Sequence, residues 1–115
     1  QQGQGATLMR AQLALALQQI EFELRALRWW EQPPPDAQAL ASTQPFCVDT
    51  LNFAQWLQWV LLPRMQHLLQ QQLPLPERCA VAAMAEMVYQ DMAEQTSDLR
   101  RALEQLDSLF GTQLN

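Results

Sequence analysis

Met9, Leu13, Leu17, Ile20, Leu24 and Leu27 recur at intervals of three and four residues, the spacing that places apolar side chains on one stripe of an α-helix. The pattern predicts a first helix from about Thr7 to Trp30 whose stripe must be buried by other elements. A second row, Leu15, Phe22 and Trp29, repeats every seven residues on a different side, so this helix is expected to be covered on more than one face. Pro33, Pro34 and Pro35 are expected to end it, because consecutive pyrrolidine rings remove amide donors and push the preceding residue out of helical dihedrals.

A polar, uncapped loop is read from there to Asp49. It is long for a compact domain, and loops of that length are functional, packed by their own side chains, or disordered; Pro45 and Phe46 point to packing. A second helix is predicted from about Leu51 to Gln72. Thr50 or Asn52 is its N-cap, and Gln55 is placed for a capping box if Asn52 is the cap. Pro63 lies inside this helix, and a kink is expected between Trp59 and Pro63. Leu73, Pro74, Leu75 and Pro76 form the next break. Pro76 is read as the first residue of a third helix that reaches Met92 with Val81, Met84, Ala85, Val88 and Met92 as its stripe. Thr96 or Ser97 then caps a fourth helix on Leu99, Leu103, Leu106 and Phe110, stopping at Gly111.

The reading is therefore an all-α, small four-helix bundle, antiparallel or irregular, with a long loop between helices 1 and 2 and a proline-kinked helix 2. Its organisation is one domain over residues 7–111, between a flexible start at 1–6 and a flexible end at 112–115. The composition agrees, with only three Gly among 115 residues and an abundance of side chains that lose little freedom in a helix.

Charge and cysteine usage narrow the function classes. The net charge is −5 and no basic run occurs, so direct nucleic-acid binding is not expected. Cys47 and Cys79 stand alone without metal-ligand spacing, which predicts free thiols in a reducing compartment, no metal and no cofactor. The longest apolar runs fall far short of the ~20 residues of a membrane-spanning helix, and no signal peptide is read. Cytoplasmic placement follows. No acid pair, nucleophile elbow or phosphate loop is present, so no catalytic residue is assigned and the chain is read as no enzyme.

The second helix is the unusual element. Between Ala37 and Pro76 the only formally charged residues are Asp49 and Arg64, and the stretch holds two of the four Trp. Its stripe reads Phe53, Leu57, Val60, Arg64, His67 and Gln71, which puts Arg64 on the core line. A desolvated guanidinium needs partners. Either Arg64 ties the loop down through Asp49, Glu86 or loop carbonyls, or it forms, with His67, Gln44, Asp49 and the loop, the pocket of an anion- or small-ligand-binding protein or of a cryptic enzyme. His67 is read as a satisfied histidine rather than a ligand. On the opposite face Trp59, Leu62 and Leu69 interrupt Gln55, Gln58, Gln66 and Gln70; they are either a partner surface rimmed by amides or covered by a neighbouring helix.

The segment from Ser42 to Ala82 contains STQPF, DT, WLQWV, PRM followed by LL, PLP and AVA. In this order it resembles the YqcC-like family of small bacterial proteins, departing from the pattern at Ala83, where a proline is expected. The resemblance implies a short cytosolic helical bundle and assigns no catalytic role. Such proteins are often encoded beside a tRNA pseudouridine synthase, which implies by association an accessory role there, through protein contact. The leading expectation is an interaction module that binds a protein partner or itself through the second helix and the Ser42–Thr50 loop. Its candidate binding residues are Gln44, Phe46, Asp49, Trp56, Gln58, Trp59 and Arg64, with Trp56 and Trp59 as anchors.

Overall fold

The computed structural model describes residues 2–32, 34–74 and 79–111, and all regular structure among them is helical. Helix α1 (Gln2–Ala26) begins ahead of the expected Thr7. Its predicted stripe is the core line: Leu13, Leu17, Ile20 and Leu24 are buried, with Met9 and Leu27 packed at the margin.

The helix ends before the prolines, not at them. Arg28 adopts a left-handed φ of 65°. The Trp29 amide then donates to the Leu24 carbonyl at 2.9 Å and the Arg28 amide to Arg25 at 3.0 Å. This pairing is a Schellman stop, in which two otherwise orphaned carbonyls are satisfied by the residues that turn the chain away. The same device recurs with Gln72, at φ 54°. There Leu73 donates to Leu68 at 2.9 Å and Gln72 to Leu69 at 3.3 Å.

The loop expected to be uncapped contains one helical turn, α2 (Ala37–Leu40), whose N-cap Asp36 accepts from the Ala39 amide at 2.8 Å. A 3-10 turn follows at Pro45–Cys47. The predicted second helix is then a continuous rod of three segments: α3 (Phe53–Trp56), a π turn (Leu57–Leu61) and α4 (Leu62–Gln70). Asn52 caps it with a complete capping box. The Gln55 amide donates to Asn52 Oδ1 at 2.8 Å, and the Asn52 amide donates to Gln55 Oε1 at 2.9 Å.

The π turn is the rod's response to Pro63. A proline in mid-helix lacks the amide that the Trp59 carbonyl would accept, and its ring collides with that carbonyl. Widening the preceding turn, with the Leu62 amide reaching back to the Leu57 carbonyl, relieves the collision and inserts one residue into the register. Everything beyond it is rotated by one position. Leu61 and Met65 are buried and Leu68 half-buried where Val60, Arg64 and His67 were expected, and Arg64 and His67 are exposed. The expectation that Arg64 lies on the core line is thereby corrected.

The third helix is shorter than predicted. Helix α5 spans Val81–Val88, and a 3-10 turn at Gln90–Met92 follows. Pro76, its expected first residue, lies outside the described residues, as do 112–115. Val81, Ala82 and Ala85 are buried, whereas Val88 faces out. Helix α6 (Ser97–Gly111) buries Leu99, Leu103, Leu106 and Phe110 as predicted, with Gly111 as its last residue. α6 lies against both α1 and α5, and α4 lies against α1. These make the four rods of the expected bundle.

Candidate functional site

Five aromatic rings link the loop to three helices. Phe46 meets Trp56 edge-on at 4.8 Å, and Trp56 stacks on Phe53 at 5.9 Å. Phe53 in turn meets Tyr89 at 5.9 Å, and Tyr89 lies 5.2 Å from Trp29 at the end of α1. Phe53, Trp56 and Tyr89 are buried, while Phe46 and Trp29 are partly open. Edge-to-face and offset contacts of this kind contribute roughly 0.5–1.5 kcal/mol each beyond area burial, so the chain of rings holds the loop firmly on the bundle.

The loop is strained where it enters this chain. Phe46 (φ 57°) and Cys47 (φ 49°) are consecutive left-handed residues without glycine, a conformation costing about 1–3 kcal/mol per residue. Hydrogen bonds over-determine it. The Cys47 carbonyl accepts from the Thr50 amide at 3.0 Å and the Leu51 amide at 2.8 Å, while the Cys47 amide donates to Gln44 at 3.0 Å. The Ser42 hydroxyl donates to Asp49 and accepts from the Gln44 amide at 3.1 Å. Thr50 Oγ1 donates to the Ala39 carbonyl at 2.7 Å.

Above the rings lies an open apolar groove of about 230 Å³ formed by Phe46, Val48, Leu51, Phe53, Met84 and Val88. A second hollow of about 280 Å³ continues past Phe53 and Val88 to Trp29 and Tyr89, with Arg28 and Glu31 at its mouth. Val48 and Val88 line the groove and stand exposed, Val48 at 59%, and Met87, next to Val88 on α5, is 63% exposed. Large apolar side chains open to solvent beside a groove are a feature of surfaces that bind.

The predicted site residues divide between this groove and the framework. Phe46 lines the groove. Trp56 is only 8% exposed and lies beneath it as core, so it supports the surface rather than presenting itself. Gln44 and Asp49 serve the loop's own hydrogen bonds, and Asp49 pairs with Ser42 instead of Arg64. Arg64 has no ion pair or hydrogen bond among the described residues and lines none of the described cavities. The expected role of loop tie is therefore corrected.

Gln58 is 3% exposed. Its Oε1 accepts from the Glu31 amide at 2.8 Å and its Nε2 donates to the Glu31 carbonyl at 2.7 Å, which fastens the chain after α1 to the π turn. Trp59 is half-buried against Trp30, Leu62 and Pro63 in a separate hollow. Its indole Nε1 is buried without a partner among the described residues. Of the three apolar residues on the amide-rimmed face, Leu62 is buried and Trp59 and Leu69 are partly so, while Gln66 and Gln70 are exposed.

Sequence reasoning missed Val48, Met87 and Tyr89, and it read Trp29 as part of an outer row of the first helix and Val88 as part of a core stripe. The signal was present in Val48, an aliphatic residue inside a polar loop, and in Met87–Val88, since two adjacent helical residues cannot both face one core. It also missed Asp107, whose Oδ1 and Oδ2 accept from the Val81 and Ala82 amides at 3.1 and 2.8 Å and so cap α5 from a neighbouring helix. Burial, helped by a hydrogen bond to Asp107 and its negative charge, pushes the Cys79 thiol up to about 12. Burial likewise raises Tyr89 to about 12. Among the described residues no group of three His, Cys, Asp or Glu converges as a metal site, and no helix is long and apolar enough to cross a membrane.

A short all-helical bundle carrying an apolar groove under a strained loop defines a class of small helical domains with an exposed apolar surface. The chain belongs to the DUF446 family, described as tRNA pseudouridine synthase C, whose profile matches residues 12–109. The Escherichia coli K12 protein YqcC, named only as uncharacterized, is 43% identical over 96 residues, which are 84% of this chain and 88% of that protein. The solution NMR structure of E. coli YqcC matches with a TM-score of 0.79 at 40% identity, covering 89% of this chain and 87% of the other. A protein of Pectobacterium carotovorum named tRNA pseudouridine synthase C is 46% identical over 65 residues, which are 56% of this chain but only 17% of that longer protein.

Proposed function

We propose that this domain is a non-enzymatic docking module whose partner is a tRNA pseudouridine synthase, engaged through the groove between the Ser42–Thr50 loop and α5. The observation that carries the reading is the Pectobacterium relative, in which a segment 46% identical to this chain is a minor part of a longer protein bearing the synthase name. The E. coli relative is a short protein, 88% of which matches this chain, and a domain found both in so short a protein and inside a longer one is expected to touch the same partner in both. Tethering raises effective concentration without new contacts, so the untethered form needs a contact surface that suffices by itself.

The groove fits that need. Its lining carries no titratable group, which favours a partner's apolar side chain over a charged ligand. A pre-shaped loop loses little entropy on binding. With a net charge of −5, the domain repels RNA and attracts a basic protein surface such as a tRNA-handling enzyme presents. The reading places the chain in the cytoplasm with that enzyme. Purified chain mixed with the pseudouridine synthase of the same organism is expected to co-elute on size exclusion as a complex larger than either component. Separate elution at concentrations well above micromolar would refute the assignment.

A further inference from the structure

The outer face of α1 is apolar and open to solvent among the described residues. Leu8, Leu15 and Phe22 are 61%, 64% and 63% exposed, three large side chains at seven-residue intervals. Such spacing keeps them on one side of a helix. Leu15 and Phe22 also form the wall of a groove of about 650 Å³ whose floor is Ala16 and whose far side is Leu109 of α6. This face is distinct from the groove assigned above, so the inference goes beyond that reading.

We infer that α1 pairs antiparallel with α1 of a second copy of this chain about a two-fold axis passing through Leu15. Three features of the face commit it to this occupant. First, its apolar residues are equidistant from Leu15, so a two-fold axis there sets Leu15 against Leu15, and Leu8 against the bulkier Phe22 of the other copy; a two-fold interface requires such self-complementarity. Second, the residues of this face on either side of the central Leu15 are uncharged. The same axis sets Gln12 against Gln18 and Ala11 against Gln19, all of them exposed. Glu21 falls opposite Met9 rather than another acid.

Third, each chain carries a net charge of −5, so two copies meet without like-charge contact only along a seam free of acids. The residues lining this groove are aliphatic, aromatic, amide and hydroxyl. Antiparallel pairing also opposes the two helix dipoles, whereas parallel pairing aligns them.

Sedimentation velocity on the full chain, across the micromolar to millimolar range, is the first test. A species of twice 13.2 kDa is expected, and more of it at high salt, because screening removes the long-range repulsion of two acidic bodies while the seam itself contains no ion pair. Phe22→Glu and, separately, Leu15→Glu are expected to return the chain to the monomer mass with an unchanged helical circular dichroism spectrum. Orientation is read by oxidative cross-linking with mass-spectrometric mapping. A mixture of Leu8→Cys and Phe22→Cys chains is expected to join across these two positions, and Leu8→Cys alone is not. A monomer at all concentrations, a dimer indifferent to both glutamate variants, or a Leu8→Cys chain that joins to itself through that position would each overturn the inference. A folded monomer that still captures the synthase would overturn it while leaving the docking assignment intact.

Discussion

Gln58 grips Glu31 by both of the latter's backbone groups, with its amide nitrogen 2.7 Å from the carbonyl and its amide oxygen 2.8 Å from the peptide N–H. A buried primary amide is the side chain that can satisfy an adjacent donor and acceptor at once, as a neighbouring strand would. The grip joins the end of α1 to the π turn and so holds the Trp29 end of the aromatic chain in place. Gln58→Leu keeps the volume and leaves both groups of Glu31 without their protein partner. It is expected to lower stability by about 1–3 kcal/mol, read as a fall in the urea midpoint with unchanged slope. An unchanged midpoint would show that the pairing is incidental.

The register set by the π turn makes opposite forecasts for neighbours. Met65 is buried at 4% exposure, whereas Arg64 is exposed and unpaired among the described residues. Met65→Ala is expected to cost about 2–5 kcal/mol, and Arg64→Ala to stay within ~0.5 kcal/mol of the parent. Chemical denaturation of the two variants decides it. The reverse order would mean that the rod is an uninterrupted α-helix.

Asp107 caps α5 across the bundle because Ala80, at the N-cap position, has no side chain that can accept the Val81 and Ala82 amides. Asp107→Ala is expected to cost about 1–2 kcal/mol, the usual loss on removing an N-cap acceptor. Asp107→Asn retains an acceptor but no charge, and should cost less. It should also lower the Cys79 thiol from about 12 towards its ordinary value, because the carboxylate is one of the groups holding the proton on sulfur. The pH profile of Cys79 alkylation in the two proteins measures this directly. Identical profiles would contradict the contact.

Alkaline stability follows from the same groups. Cys79 rises from 9.0 to about 12 and Tyr89 from 10.0 to about 12 on folding. Both therefore hold their protons more tightly in the folded chain. Their contribution is fully present below about pH 9. As pH rises from there towards 12, the unfolded state releases these protons first, so the contribution is progressively lost. Thermal unfolding from neutral pH to pH 11 is expected to show a falling midpoint above pH 9, reduced in a Cys79→Ala variant. A flat profile across that range would refute the burial of these two groups.

Much of the bundle was legible residue by residue. The Leu13–Leu24 and Leu99–Phe110 stripes are core as the periodicity required, and Asn52 with Gln55 forms the capping box their identities announce. What escaped has one physical form, namely backbone geometry that departs from the regular α-helix. Periodicity counts residues as if every turn were α-helical, so a single π turn ahead of Pro63 displaced all later positions by one and moved Arg64 from the expected core to the surface. Helix ends marked by Arg28 and Gln72 carry no glycine signal, because paired backbone hydrogen bonds hold a non-glycine residue at left-handed φ there. The groove was only partly visible. Phe46 belonged to the predicted loop, but Val88 and Tyr89 join it from the end of a helix that stops earlier than its sequence pattern does.

The docking assignment is tested most directly by isothermal titration of the pseudouridine synthase of the same organism with the chain and with its Val48→Glu and Met87→Glu variants. Both side chains are exposed, so both variants are expected to fold as the parent does. The parent should bind with a negative heat-capacity change, the sign of apolar burial. Each glutamate should weaken binding at least tenfold, which is about 1.4 kcal/mol. No heat of binding from the parent, or equal affinity in all three proteins, would contradict the groove as the contact surface.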